Sequence, residues 1–109
     1  MAEFTVNQMQ EMQRLLQEKY QHKWGEPISP EIGQNKLLWM IGEIGEVIDI
    51  IKKHGAQTAI TDEALRKALV EEMADVLMYY NDVMLCYGIT AEELGRAYTE
   101  KFEKNINRW

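Results

Sequence analysis

Glu71-Glu72-Met73-Ala74-Asp75-Val76-Leu77-Met78-Tyr79-Tyr80 lies at the centre of a longer stretch, Leu65 to Tyr87, that decides the fold. No Gly or Pro interrupts it before Gly88. Leu69, Val70, Met73, Val76, Leu77, Met78, Tyr79, Val83, Met84 and Leu85 occupy nearly the whole circumference of a helix drawn through it. A helix apolar all round is covered on all sides. In a chain this small, that requires a tightly wrapped bundle or a second subunit. At roughly 100° per residue, Glu72 shares a face with Leu65, Ala68, Val76 and Tyr79. Ionised carboxylates among apolar neighbours are costly unless paired or metal-bound. The stretch therefore predicts both a buried helix and a use for its acids.

Working outward, the punctuation predicts four helices and no strands. Thr5 with Gln8 three residues later opens the first, which runs to about His22. The stretch from Gly25 to Pro30, containing Pro27, reads as a loop, with Trp24 placed in it. Ser29 caps the second helix with Pro30 at its first position. Gly55 ends that helix after Lys52, Lys53 and His54, where the helix dipole favours cations. Thr61 or Asp62 starts the third and Gly88 stops it; Thr90 with Glu93 forms a capping box for the fourth. The expectation is one all-α domain over residues 1–109, a four-helix bundle assembled as a homo-oligomer. The third helices of neighbouring subunits would meet in its core.

Composition narrows the function. Hydrophobic residues make up 46% of the 109, which excludes a disordered chain. A formal charge of −6 excludes a binder of nucleic-acid backbones, which needs a net basic face. The single cysteine, Cys86, lies in an apolar run and reads as a small buried hydrophobe. No apolar segment is long enough to span a bilayer, and the start Met1-Ala2-Glu3-Phe4-Thr5 lacks the pattern of a signal peptide. A cytoplasmic protein without a membrane partner is expected.

The acids come in two matched pairs. Glu43 and Glu46 stand three apart in the second helix, and Glu72 and Asp75 stand three apart in the third. Three residues is about one turn, so each pair lies on one side of its helix. If the helices are antiparallel, the four carboxylates can converge. Converging anions repel and are tolerated when cations sit among them. Oxygen-only ligands suit Mg²⁺, or Mn²⁺, which usually also engage substrate phosphates. A single acidic pair is ordinarily a solvated helix face, as Asp49 and Glu71 illustrate. The two pairs together, set among Trp39, Ile50 and the apolar third helix, are a different signal. His22 and His54 show no Glu-x-x-His spacing, which argues against a di-iron bundle.

The run Gly42-Glu43-Ile44-Gly45-Glu46-Val47, followed by Glu71-Glu72-Met73-Ala74-Asp75-Val76-Leu77, resembles the MazG-like nucleoside triphosphate pyrophosphohydrolases. That family is marked by Glu-x-x-Glu, a spacer, then Glu-x-x-Asp. The resemblance covers the chain from Trp24 to its Lys101…Arg108 end. It implies Mg²⁺-dependent hydrolysis of a nucleoside triphosphate to the monophosphate and diphosphate, with a house-cleaning role in the nucleotide pool. It makes Glu43, Glu46, Glu72 and Asp75 the metal ligands and points to Glu46 as the catalytic base. It also implies substrate contacts: Lys101, Lys104, Asn105 and Arg108 near the carboxyl end, and Tyr79 one turn beyond Asp75. From the residues themselves, Lys53 is placed to hold a phosphate or to complement the helix dipole. Trp24 and Trp39 are placed to stack on a base or to serve as packing. Two rivals stand beside this reading: a phosphoribosyl-ATP pyrophosphohydrolase, and a non-catalytic helical interaction module.

Overall fold

The computed structural model describes residues 3–24 and 28–108, those of 21–24 by backbone only. It is all-α, with no strand among the described residues and five helices rather than four. Helix α1 spans Val6–Trp24, α2 Pro30–His54, α3 Ala56–Thr61, α4 Glu63–Cys86 and α5 Ala91–Arg108. The extra element is α3. The stretch Ala56-Gln57-Thr58-Ala59-Ile60 has no Gly or Pro to keep it out of a helix. Gly55, at φ +86°, turns the chain between α2 and α3, and extended Asp62 separates α3 from α4. Trp24 closes α1 instead of lying in the loop, and its side chain falls outside the described residues.

The helix ends follow their local chemistry. Thr5 Oγ1 accepts from Gln8 N at 3.1 Å while Gln8 Oε1 accepts from Thr5 N at 2.7 Å, a complete capping box. Ser29 Oγ accepts from Ile32 N at 3.3 Å with Pro30 at the first turn. Asp62 Oδ1 takes Leu65 N at 3.0 Å, so of the two candidates Asp62 is the cap. Gly88, at φ +65°, closes α4 with paired bonds, its own N–H to Leu85 O and Ile89 N–H to Met84 O. That left-handed position favours glycine, which has no Cβ to clash there. Thr90 Oγ1 accepts from Glu93 N at 3.1 Å, one half of the expected box.

Helices α2 and α4 are the principal packed pair, and α3 bridges them. They run antiparallel, since Gly33 at the start of α2 meets Tyr87 and Cys86 at the end of α4. A Cβ built on Gly33 would stand 2.5 Å from Tyr87 Cε2, so any larger residue there must displace the Tyr87 ring. Helix α1 packs on α4, and among the described helices α5 packs on α1 alone. No described helix is long and apolar enough to cross a membrane.

The interior of this chain is small. Among the described residues the buried apolar ones are Ala59, Met84, Cys86 and Ala91. The accessible surface is 8354 Å², against about 6,300 Å² for a folded monomer of this mass. The radius of gyration is 16.3 Å, against about 13 Å for a compact chain of this length. The apolar face of α4 is divided accordingly. Met84 is buried within the chain, whereas Val70, Met73, Leu77 and Tyr80 form an exposed stripe. A second stripe, Leu37, Ile41, Ile44, Ile48 and Ile51, runs along α2.

Gly33→Val should lower unfolding free energy by about 1–3 kcal/mol, as overpacking does. Gly95→Ala, in helix α5 with open space around it, should instead raise it by about 0.4–1 kcal/mol. Urea denaturation followed by circular dichroism measures both.

Candidate active site

The antiparallel pair carries the acids to one place. Residues Lys36, Trp39 and Glu43 descend one wall of a cavity on α2, while Asp75, Met78, Tyr79 and Asp82 ascend the facing wall on α4. Glu43, Glu46 and Glu72 each offer a carboxylate oxygen, and these oxygens lie within 4.8 Å of one another. Asp75 lies outside that trio, half-buried on the cavity wall beside Glu43. The shorter Asp side chain reaches less far from its helix than Glu72 does.

The cluster's electrostatics show what it lacks. Glu72 Oε2 is buried without a hydrogen-bond partner. The hydrogen bond and charge of Glu72 raise the Glu46 carboxyl above its ordinary range. Burial, Asp75 and Asp49 push it the same way. An orphaned buried acceptor beside crowded carboxylates is the environment a hard divalent cation satisfies. Glu43, Glu46 and Glu72 therefore fit an oxygen-liganded ion in chemistry and placement, with Asp75 lining the adjoining cavity.

Beside the acids lies a cavity of about 520 Å³ with a third wall from α1, Gln13 and Leu16. Trp39 and Tyr79 meet edge to face, with ring centroids 6.2 Å apart and planes at 70°. Lys36 Nζ lies 4.9 Å from the Trp39 ring centroid. Burial, then the charges of Glu43, Asp82 and Asp75, raises the Tyr79 phenol, so it keeps its proton at neutral pH and can donate. Of the three aromatics named from sequence, Trp39 and Tyr79 are cavity walls.

At the inner end sits a group that sequence reading passed over. Asp82 Oδ1 accepts from Gln13 Nε2 and Gln17 Nε2, each at 2.7 Å, and Asp82 Oδ2 lies 3.9 Å from Lys36 Nζ. All four residues are buried. Burial raises the Asp82 carboxyl, and the two amides and Lys36 oppose it. The available signal was Asp82 itself, seven residues beyond Asp75 on the same face of α4.

The family model for the MazG nucleotide pyrophosphohydrolase domain matches residues 32–108. The chain belongs to this family. Neither a curated protein nor a solved structure matches it significantly. The match embraces both acidic pairs and the cavity walls on α2 and α4, but not α1.

Other expected contacts lie elsewhere in this MazG chain. Lys101, Lys104, Asn105 and Arg108 are exposed on α5, which packs on α1 and on neither acid-bearing helix. Lys53 is exposed in the last turn of α2. Cys86 is buried, and its burial raises the thiol, which removes it from nucleophilic chemistry.

The sign of the pH effect follows from Glu46. Its folded-state affinity for a proton exceeds the unfolded one, so ionisation of this group opposes folding above the ordinary Glu range. Protonation relieves that as pH falls through the raised value. Without divalent metal, melting temperature should therefore drop more steeply in the wild type than in Glu46→Gln as pH rises from mildly acidic to neutral. Millimolar Mg²⁺ should raise the wild-type value at neutral pH and raise that of Glu46→Gln less. Parallel profiles in a differential scanning fluorimetry series would exclude this coupling.

Proposed function

We propose that this MazG-family chain is a Mg²⁺-dependent nucleoside triphosphate pyrophosphohydrolase, releasing the monophosphate and diphosphate from (d)NTPs. The supporting observation is the carboxylate trio at the edge of an aromatic-walled cavity, which offers a phosphate-facing site beside a nucleoside-sized one. The cation, when bound, would neutralise phosphate charge and polarise the phosphoryl group under attack. Glu43, Glu46, Glu72 and Asp75 would hold it. Glu46, the exposed member, is the base in this reading. It would take the proton that water loses on attacking the α-phosphorus. Trp39 and Tyr79 would bound the nucleoside and keep water from its apolar face. Removal of surplus or non-standard nucleotides in the cytoplasm is the proposed role.

The proposal includes a homo-oligomer, dimer or tetramer. The excess surface, the large radius and the two exposed stripes support a subunit whose core would be completed by a copy of itself. The basic residues of α5 would then serve a neighbouring copy's phosphates, since α5 packs away from α2 and α4 in its own chain.

With Mg²⁺ and a nucleotide panel, the wild type should release diphosphate, while Asp75→Asn and Glu43→Gln lose activity by orders of magnitude and keep their helical content. Wild-type turnover in both variants would remove the acids from the reaction. For assembly, light scattering should give a multiple of the 12.8 kDa chain mass. Leu77→Glu, in the exposed α4 stripe, should shift it toward monomer. A folded wild-type monomer at micromolar concentration would overturn the oligomer.

A further inference from the structure

Trp39 walls the cavity while 46% exposed, so packing alone leaves its indole room to turn. Two contacts act on the ring. Tyr79 meets it edge to face, with centroids 6.2 Å apart, and Lys36 Nζ lies over it at 4.9 Å from the centroid. An ammonium over an indole is attracted by the ring quadrupole, and more strongly where water is excluded. Lys36 is 7% exposed, so its charge reaches the ring with little screening.

Lys36 in turn has Asp82 among its partners. Asp82 Oδ2 lies 3.9 Å from Lys36 Nζ, and Asp82 Oδ1 accepts from Gln13 Nε2 and Gln17 Nε2, each at 2.7 Å. Burying two opposite charges is costly, and an apolar pair of similar volume often serves stability equally well. Placement gives this pair a further use. Lys36 and Trp39 stand three residues apart on α2, neighbours on one face, and Glu43 follows Trp39 by four. On the facing wall Asp75, Tyr79 and Asp82 are spaced by four and three. A continuous series of contacts thus runs from two amides of α1, through carboxylate and ammonium, to the indole next to the acid end. The amides lie outside the residues that the family model matches, whereas the wall they secure lies within them.

We propose that Asp82 is a positioning residue for the nucleoside wall. Held by Gln13 and Gln17, it keeps the Lys36 ammonium over Trp39, and Lys36 keeps the indole against Tyr79. Asp82 acts through Lys36 and Trp39 rather than on the reacting atoms. What the wall bounds rests on the pyrophosphohydrolase reading; how the wall is held does not. Asp82→Asn keeps an oxygen for the two amides and turns the other acceptor into a donor. Lys36 then loses its anionic partner there, while the side chain keeps its size.

The test reads the indole and the kinetics together. In the intact nitrogen-15-labelled protein, the Trp39 indole N–H signal is assigned by its loss in Trp39→Phe. Its order parameter should be about 0.8 in the wild type and fall below about 0.6, the flexible range, in Asp82→Asn. The same variant should raise KM for the cleaved triphosphate about tenfold, on the order of what one stacking platform contributes. The fall in kcat should be smaller, because the acid cluster is left intact. A second variant separates positioning from stability. Lys36→Leu with Asp82→Asn removes both buried charges, a change that is often neutral or stabilising, so it should melt no lower than Asp82→Asn alone. The low order parameter and raised KM should persist in it, whereas a purely structural pair would recover both along with stability. Should Asp82→Asn fail to fold by circular dichroism, the double variant decides. A wild-type indole already in the flexible range, or a wild-type order parameter or KM in either folded variant, would overturn the assignment. If the wild type cleaves no triphosphate, the pyrophosphohydrolase reading falls and the order parameter alone decides this one.

Discussion

Repulsion among the carboxylates that α2 and α4 hold within 4.8 Å is the constraint on which the rest depends. Two helices held together by apolar packing would, left to charge alone, part where Glu43, Glu46 and Glu72 meet. Close contact at the other end opposes that. Gly33 lets the start of α2 lie against Tyr87 and Cys86 at the end of α4, and α3 ties the opposite ends. The pair thus behaves as a clamp, fixed at both ends and electrostatically loaded between them. A cation or a proton relieves the load, and the raised Glu46 carboxyl is its local signature.

The clamp uses little core to do this. Met84, Cys86, Ala59 and Ala91 are buried, while longer apolar side chains on α2 and α4 remain outside. Chain entropy opposes folding by on the order of 1–2 kcal/mol per residue, and offsetting it requires burial that this chain leaves incomplete. The exposed stripes are consequently part of the folding problem as well as of the surface. Completion by a second copy would stiffen the helices that carry the acids, so assembly and catalysis would share one cause.

Much of this was legible in the sequence because it rests on local rules. Ser29-Pro30, Asp62, Gly55 and Gly88 sit at helix ends because side-chain caps and positive φ act over three or four residues. The acidic pairs were legible because three-residue spacing fixes a shared face. What escaped reading was set by distant contacts. The helix Ala56–Thr61 has weak signals of its own and is held against α2 and α4. The division of α4 into buried Met84 and exposed Met73 and Leu77 depends on where α1 and α2 lie, which periodicity does not reveal. Asp82 went unread for the same reason. Its partners Gln13 and Gln17 come from a helix at the other end of the sequence, and on its own helix it is one acid among apolar residues.

The antiparallel register joins the two chemistries of the cavity. Because α2 and α4 run in opposite directions, one alignment places Glu43 and Asp75 at one end and Lys36 and Asp82 seven residues away at the other. A shift of one residue in either helix would rotate its side chains by about 100° and move both ends out of register together. The acid end and the Lys36–Asp82 end are therefore coupled by geometry without touching. The two ends also differ in sign. Like charges crowd at the acid end, where a bound cation would relieve them. Opposite charges meet at the inner end, where two amides hold the acid in place before any ligand arrives. An end that is strained until occupied and an end that is organised beforehand divide the work of binding. The second would receive a ligand without rearrangement, and the first would gain free energy from the arrival of a cation.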